Sequence, residues 1–164
     1  MADKSDAAVV TKSTARELVI TRIFDAPRAL VFEAWTKPEH LVHWFGPNGF
    51  TLPVCEMDFR VGGSYRLCMR ASSGWEHYTH GVYREIVPAE RIVWTSIFED
   101  VPGSEILTTV TFAEHDGKTK ITVNQTYNFE SDATRGAPQG WTETLEHLAA
   151  YVAKNLNGVN QLKE

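Results

Sequence analysis

The 164-residue chain carries 16 Lys and Arg against 21 Asp and Glu, a net charge of −5, with 43% hydrophobic and 11% aromatic residues. These are the proportions of a single globular domain large enough to bury a core. The acidic balance excludes nucleic acid or an anionic membrane surface as the main partner, because phosphates are held by a basic footprint.

Residues 1–15 are small and polar without periodicity and are read as a flexible tail, with residues 16–158 as the domain and 159–164 as a second tail. The apolar run Ala7–Val10 is too short for a signal-peptide core. No segment reaches the roughly twenty apolar residues of a membrane span, so the expected location is the cytoplasm. Glu17 to Phe24 alternates as a first strand. Asp25-Ala26-Pro27 then starts a helix, whose apolar stripe is Leu30, Val31, Ala34 and Trp35. Pro38 opens a second short helix, with Leu41, Trp44 and Phe45 on one side, and Gly46-Pro47-Asn48-Gly49 ends it.

From Phe50 onward the pattern is strand and turn. Strands are expected at 50–59, 64–71, 76–87, 91–99, 105–114 and 118–129, separated by Gly62-Gly63, Ser72-Ser73-Gly74, Pro88-Ala89, Pro102-Gly103 and Asp116-Gly117. Such short links force antiparallel neighbours. A long helix follows from about Gln139 to Leu156, with the stripe Trp141, Leu145, Leu148, Val152 and Leu156, and Gly158 stops it. The expected fold is therefore α+β, a curved seven-stranded antiparallel sheet around a long C-terminal helix, with two short helices after the first strand. One helix about 10 Å across is narrower than such a sheet, which leaves an internal space for a ligand. The competing reading is an interior filled by the five Trp, eight Phe and five Tyr.

A turn at Arg60–Gly63 sets Glu56 opposite Leu67, and a turn at Ser73-Gly74 sets Met69 opposite Tyr78 and Leu67 opposite His80. The face with Tyr65, Leu67 and Met69 is the interior, because its reverse carries Arg66 and Arg70. This counting turns Glu56 and His80 inward as a candidate acid/base pair, or leaves Glu56 as a satisfied core group. It puts Cys55 opposite Cys68 on the outer face, both as free thiols, too few for a disulfide framework. Thr108, Val110 and Phe112 line the interior, as do Ile121, Val123, Gln125 and Tyr127. For 91–99 the choice between Trp94 with Ser96 and Val93 with Thr95 stays open. The expected ligand wall is Trp44, Glu56, Leu67, Met69, Tyr78, His80, Thr108, Gln125, Trp141 and Leu145.

No nucleophile elbow, dinucleotide fingerprint or phosphate-binding loop is present. His40 and His43 beside Glu39 lack the spacing of a zinc site and read as a solvated helix face. His77 and His80, three apart in a strand, point to opposite faces and share no metal. His115 and His147 read as surface. Asn124-Gln125-Thr126 matches a glycosylation acceptor but lies in a strand. No metal or cofactor is expected.

Trp44-Phe45-Gly46-Pro47, the run Cys55-Glu56-Met57-Asp58-Phe59-Arg60-Val61-Gly62-Gly63, and Gly140-Trp141-Thr142-Glu143-Thr144-Leu145 carry a family resemblance. Phe24-Asp25-Ala26-Pro27 with Val31-Phe32 extends it to roughly residues 16–155. These segments resemble the bacterial single-domain branch of the activator of heat-shock protein ninety ATPase homologues. That branch lies in the START-like (SRPBCC) superfamily with the birch-pollen allergens and polyketide cyclases. The resemblance implies the helix-grip fold and a cavity that, across the superfamily, holds lipids, hormones, polyketides or antibiotics. A few members catalyse cyclisation or hydrolysis there, but no catalytic residue carries over to a position of this chain. The leading expectation is binding of a small hydrophobic or amphipathic molecule without catalysis. A cyclase or hydrolase-like enzyme using Glu56 and His80 is the second reading, and a co-chaperone-like interaction protein the third. The eukaryotic activators carry a further domain that this chain lacks, which sets a chaperone partner aside. An edge strand leaves a homodimer open.

Overall fold

Short turns dictate the architecture, and their lengths decide which side chains face inward. The computed structural model describes residues 7–156, and the side chains of residues 7–154. Its strands are β1 (Val9–Ser13), β2 (Glu17–Phe24), β3 (Phe50–Met57), β4 (Ser64–Ala71), β5 (Glu76–Val87), β6 (Arg91–Phe98), β7 (Ile106–His115) and β8 (Lys118–Tyr127). Its helices are α1 (Arg28–Glu33), α2 (Pro38–Leu41), α3 (Asp132–Arg135) and α4 (Ala137–Tyr151), the last continuing into a π-helical turn at Val152–Leu156. The strands form one antiparallel sheet in the order β1-β2-β8-β7-β6-β5-β4-β3.

The sheet has eight strands, not seven. The extra one, β1, falls in the segment read as a tail, and its two valines are exposed, at 48% and 39%. Backbone pairing with β2 orders it, with Val9 opposite Thr21 and Ser13 opposite Leu18. An apolar pattern search cannot find a strand that buries nothing. The outer parts of the two expected tails, residues 1–6 and 159–164, and the helix stop at Gly158 lie outside the described residues. The final helix begins at Ala137, two residues before the expected start, with Pro138 in its first turn.

Turn chemistry sets the registers. Asp116 and Gly117 both take positive φ, 51° and 81°, the backbone of a type I′ hairpin whose twist matches the flanking strands. His115 therefore faces Lys118, and the pairing runs unbroken to Ile106 opposite Tyr127. Inner-face residues of these strands, Val110, Phe112, Ile121 and Val123, are all essentially buried. On β6 the buried face carries Ile92, Trp94 and Ser96, which closes the choice left open by the sequence.

The α4 stripe of Trp141, Leu145 and Leu148, continued by Val152 in the turn that follows, is buried against the sheet. Its nearest strand neighbours are β2 and β1, while α1 packs on β7 and β8 and α2 on β3. A rod this narrow covers one side of a curved sheet. The inner face of β4, β5 and β6 is left to side chains and empty space.

Candidate functional site

Two registers differ by one residue from the counting made on sequence, and a one-residue slip turns every side chain to the other face. Between β3 and β4 the loop is one residue longer, so Asp58 N–H bonds Ser64 O and Cys55, not Glu56, stands opposite Leu67. Between β4 and β5 the loop is likewise one residue longer, three residues and not the two of Ser73-Gly74. Ala71 N–H bonds Trp75 O, leaving a three-residue turn with Gly74 at φ 96°, a common hairpin form. Met69 consequently faces His77 and Leu67 faces Thr79.

The inner face therefore gains Cys55, Met57, His77 and Thr79, and loses the expected acid/base pair. Glu56 is exposed and pairs in register with Arg66 on the outer face. His80 also points outward, its Nδ1 2.8 Å from Glu99 Oε2. Arg66 bonds the same carboxylate through two nitrogens at 2.9 Å each, and these contacts hold the Glu99 pKa down at about 2. Tyr78 is on that outer face too, beneath the Arg66 guanidinium 4.2 Å from its ring centroid. Cys68 is fully buried on the outer side, and Cys55 is half-buried against the core. Burial pushes the Cys55 thiol up to about 11.

A cavity of about 390 Å³ lies between the inner sheet face and the N-terminal half of α4. Of the residues expected on its wall, Leu67, Met69, Gln125 and Trp141 line it. Three others are buried behind it. Trp44 is sealed in the core with its indole N–H donating to Ala34 O at 3.1 Å, Leu145 is wholly inaccessible, and Thr108 accepts from Gln125 Nε2 at 3.0 Å. The interior is thus neither hollow nor filled. Trp35 meets Trp44, Trp94, Phe112 and Trp141 at centroid distances of 4.7 to 6.4 Å, and that cluster closes one end only.

Residues the sequence did not place on the wall include Trp35, Tyr65, His77, Tyr83 and Trp94. Strand alternation contained the signal for His77, Thr79 and Tyr83, had the turn at Ser72–Gly74 been taken as three residues. Polar groups on the wall are mostly paired: Tyr65 Oη donates to Thr95 O at 2.7 Å and lies 2.8 Å from Ser96 Oγ. Tyr127 Oη donates to Gln125 Oε1 at 2.8 Å. Burial raises the pKa of the Tyr127 hydroxyl to about 12 and carries that of Tyr65 higher still. Two buried nitrogens on the wall have no hydrogen bond, Trp35 Nε1 and His77 Nδ1.

The mouth is tied to α4 by contacts that the sequence reading treated as surface. His147 is hydrogen-bonded through Nδ1 to Gly46 O at 2.9 Å and lies 2.6 Å through Nε2 from Asn48 Oδ1. Asn48 N–H donates to Glu143 Oε1 at 2.9 Å. His40 is likewise engaged and only partly exposed: its Nδ1 lies 2.7 Å from Tyr151 Oη, and the exposed His43 stacks on the same ring at 5.5 Å. Among the described residues no group of three or more His, Cys, Asp or Glu is placed to hold a metal ion. No helix there is long and apolar enough to cross a membrane.

Residues 25–153 match the family described as Activator of Hsp90 ATPase homolog 1-like protein. The chain belongs to this family. A crystal structure of a protein from Chromobacterium violaceum is 34% identical with a TM-score of 0.79, over 85% of this chain and 98% of that one. One from Rhizobium leguminosarum is 30% identical with a TM-score of 0.73, over 91% and 98%. The AHSA1 protein of Silicibacter pomeroyi, at 22% identity and a TM-score of 0.72 over 84% and 97%, shares the fold. No curated protein sequence matches this one. The helix-grip architecture of these START-like bacterial relatives is the one described above.

The buried imidazole has a measurable consequence. Desolvation lowers the His77 pKa below its ordinary 6.5, against an opposing pull from Asp100. Unfolded His77 therefore takes up its proton at a higher pH than folded His77 does. Its contribution to stability is complete above the ordinary value and is lost as the pH falls towards the folded one. Between pH 7 and 5, wild type should lose stability more steeply than His77→Phe in urea titrations. Equal slopes would show that another group is responsible.

Proposed function

We propose that this chain binds a neutral, largely apolar, ring-bearing molecule in the cavity between the sheet and α4. The observation that carries this reading is the wall itself, to which, among the described residues, no Asp, Glu, Lys or Arg contributes. A charged ligand would lose its hydration there without a counter-charge, at a cost of several kcal/mol. A neutral molecule would instead trade water for aromatic faces, which favour flat rings. A volume of about 390 Å³ falls in the range of small-molecule sites. The outward positions of Glu56 and His80 remove the pair on which an enzymatic reading rested, so binding without catalysis is the function favoured. Two free thiols suit a reducing compartment, and we place the protein in the cytoplasm.

Native mass spectrometry of the protein from its own host tests the proposal by looking for a co-purified neutral molecule. Leu67→Trp is the matched control, because Leu67 lines the cavity and a larger ring there takes up its volume. The variant should fold with a near-native circular dichroism spectrum and lose the adduct. Retention of the same adduct by a folded Leu67→Trp would place the ligand elsewhere.

A further inference from the structure

One residue on the wall is unlike its neighbours. His77 is 5% exposed, and the alternation of β5 turns it to the inner face with Thr79 and Tyr83. Trp75 stacks on its ring at 5.4 Å and 22°, and Phe98 meets it edge-on at 4.5 Å and 79°, so its orientation is held by packing. Trp75 is itself 53% exposed and lines the cavity, which puts His77 just inside the mouth. Its Nδ1 is buried with no hydrogen bond, and the nearest carboxylate oxygen, Asp100 Oδ1, is 3.6 Å away, beyond bonding distance.

We propose that His77 is the polar anchor of the cavity and accepts a hydrogen bond from a hydroxyl of the ligand. This rests on the reading that the cavity binds a neutral molecule. The direction of the bond follows from the tautomer. A neutral imidazole has one N–H and one bare nitrogen. An ionised Asp100 cannot donate, so a lone pair on Nδ1 would face negative charge, whereas an N–H there is attracted to it. The proton therefore sits on Nδ1, and Nε2 is the acceptor. Nε2 lies on the edge of the ring remote from the strand, and no described residue bonds it. His77 lines the cavity, and once a ligand has displaced the water there, this acceptor is paired only by a donor that the ligand itself carries. An ether or an ester at that point leaves it unpaired, and sites built to pair a hydroxyl discriminate strongly against analogues without one. The ligand class is thus a neutral ring compound with a free hydroxyl near the mouth.

A matched pair of probes decides the matter: 4-phenylphenol and its methyl ether, 4-methoxybiphenyl, titrated calorimetrically into the full chain at pH 7.5. Wild type should bind the phenol about tenfold more tightly than the ether, the worth of one such hydrogen bond. His77→Phe should bind the two equally. If wild type binds both with the same affinity, the anchor is wrong and the cavity reading stands. If it binds neither, the cavity reading fails and the anchor with it. Should the variant not fold, long-range nitrogen NMR of wild-type imidazoles gives the same decision. The expected result is a protonated Nδ1 and an Nε2 resonance that shifts with the phenol and not with the ether. A proton on Nε2 in the free protein would overturn the assignment.

Discussion

Gly81→Ala should destabilise the protein by about 3 kcal/mol or more, the upper end of what overpacking costs. A Cβ at position 81 would lie 1.8 Å from Thr95 O and 2.7 Å from its carbonyl carbon, on the neighbouring strand β6. It would also lie 2.9 Å from Tyr65 Cε1. Side chains can rotate away from a methyl group, but a ladder carbonyl cannot. Relief requires β5 and β6 to separate between the pairs His80 with Ile97 and Tyr83 with Trp94. The same movement would pull Thr95 O from the Tyr65 hydroxyl it accepts at 2.7 Å. Gly103→Ala is the control: its backbone has positive φ, which that of Gly81 does not, but nothing lies within 4 Å of the added atom. That variant should lose only the roughly 1–2 kcal/mol of a left-handed non-glycine residue. Urea titrations that place Gly81→Ala within 1 kcal/mol of wild type would mean the two strands are not packed this closely.

Trp141→Ala should cost about 3 kcal/mol, the low end for removing a buried indole. The value is low because one side of Trp141 already faces the cavity, so fewer contacts are lost than in a sealed core. What disappears is the stack on Trp35 at 6.4 Å and 17° and the perpendicular contact with Phe45 at 6.1 Å. These bind α4 to the segments that follow α1 and α2. An unchanged denaturant slope with a lowered midpoint identifies a loss of stability and not a different unfolded state. A loss under about 1 kcal/mol would show that α4 is held by Leu145 and Leu148 alone.

Much of this architecture was legible residue by residue. Asp116-Gly117 announces a two-residue hairpin, and the strands on either side then have only one register that buries Val110, Phe112, Ile121 and Val123 together. The α4 stripe is read from spacing alone. Of the site, Leu67 and Met69 could be placed because Arg66 and Arg70 occupy the opposite face of the same strand, and Gln125 because it alternates with Val123 and Tyr127.

The partners of those residues were not legible in the same way. Loops at Phe59–Gly63 and Ser72–Gly74 contain several residues compatible with a turn, and loop lengths differing by one are close in energy when both contain a glycine at positive φ. Which length forms depends on what the two faces then bury. Glu56 and His80 reach water with Arg66 and Glu99, while His77 trades hydration for contacts with Trp75 and Phe98. That comparison involves strands β3 to β6 at once, and no window on one strand contains it.

Local sequence thus determined most of the strands and helices and the hairpin order, because propensity, turn chemistry and periodicity act over a few residues. The folded chain alone decided that β1 joins the sheet edge, that His77 replaces His80 inside, and that Trp44 and Leu145 are packed behind the cavity and not on it. Those outcomes rest on backbone pairing and on how aromatic rings from distant segments share a volume, and each is settled only when all the surfaces meet.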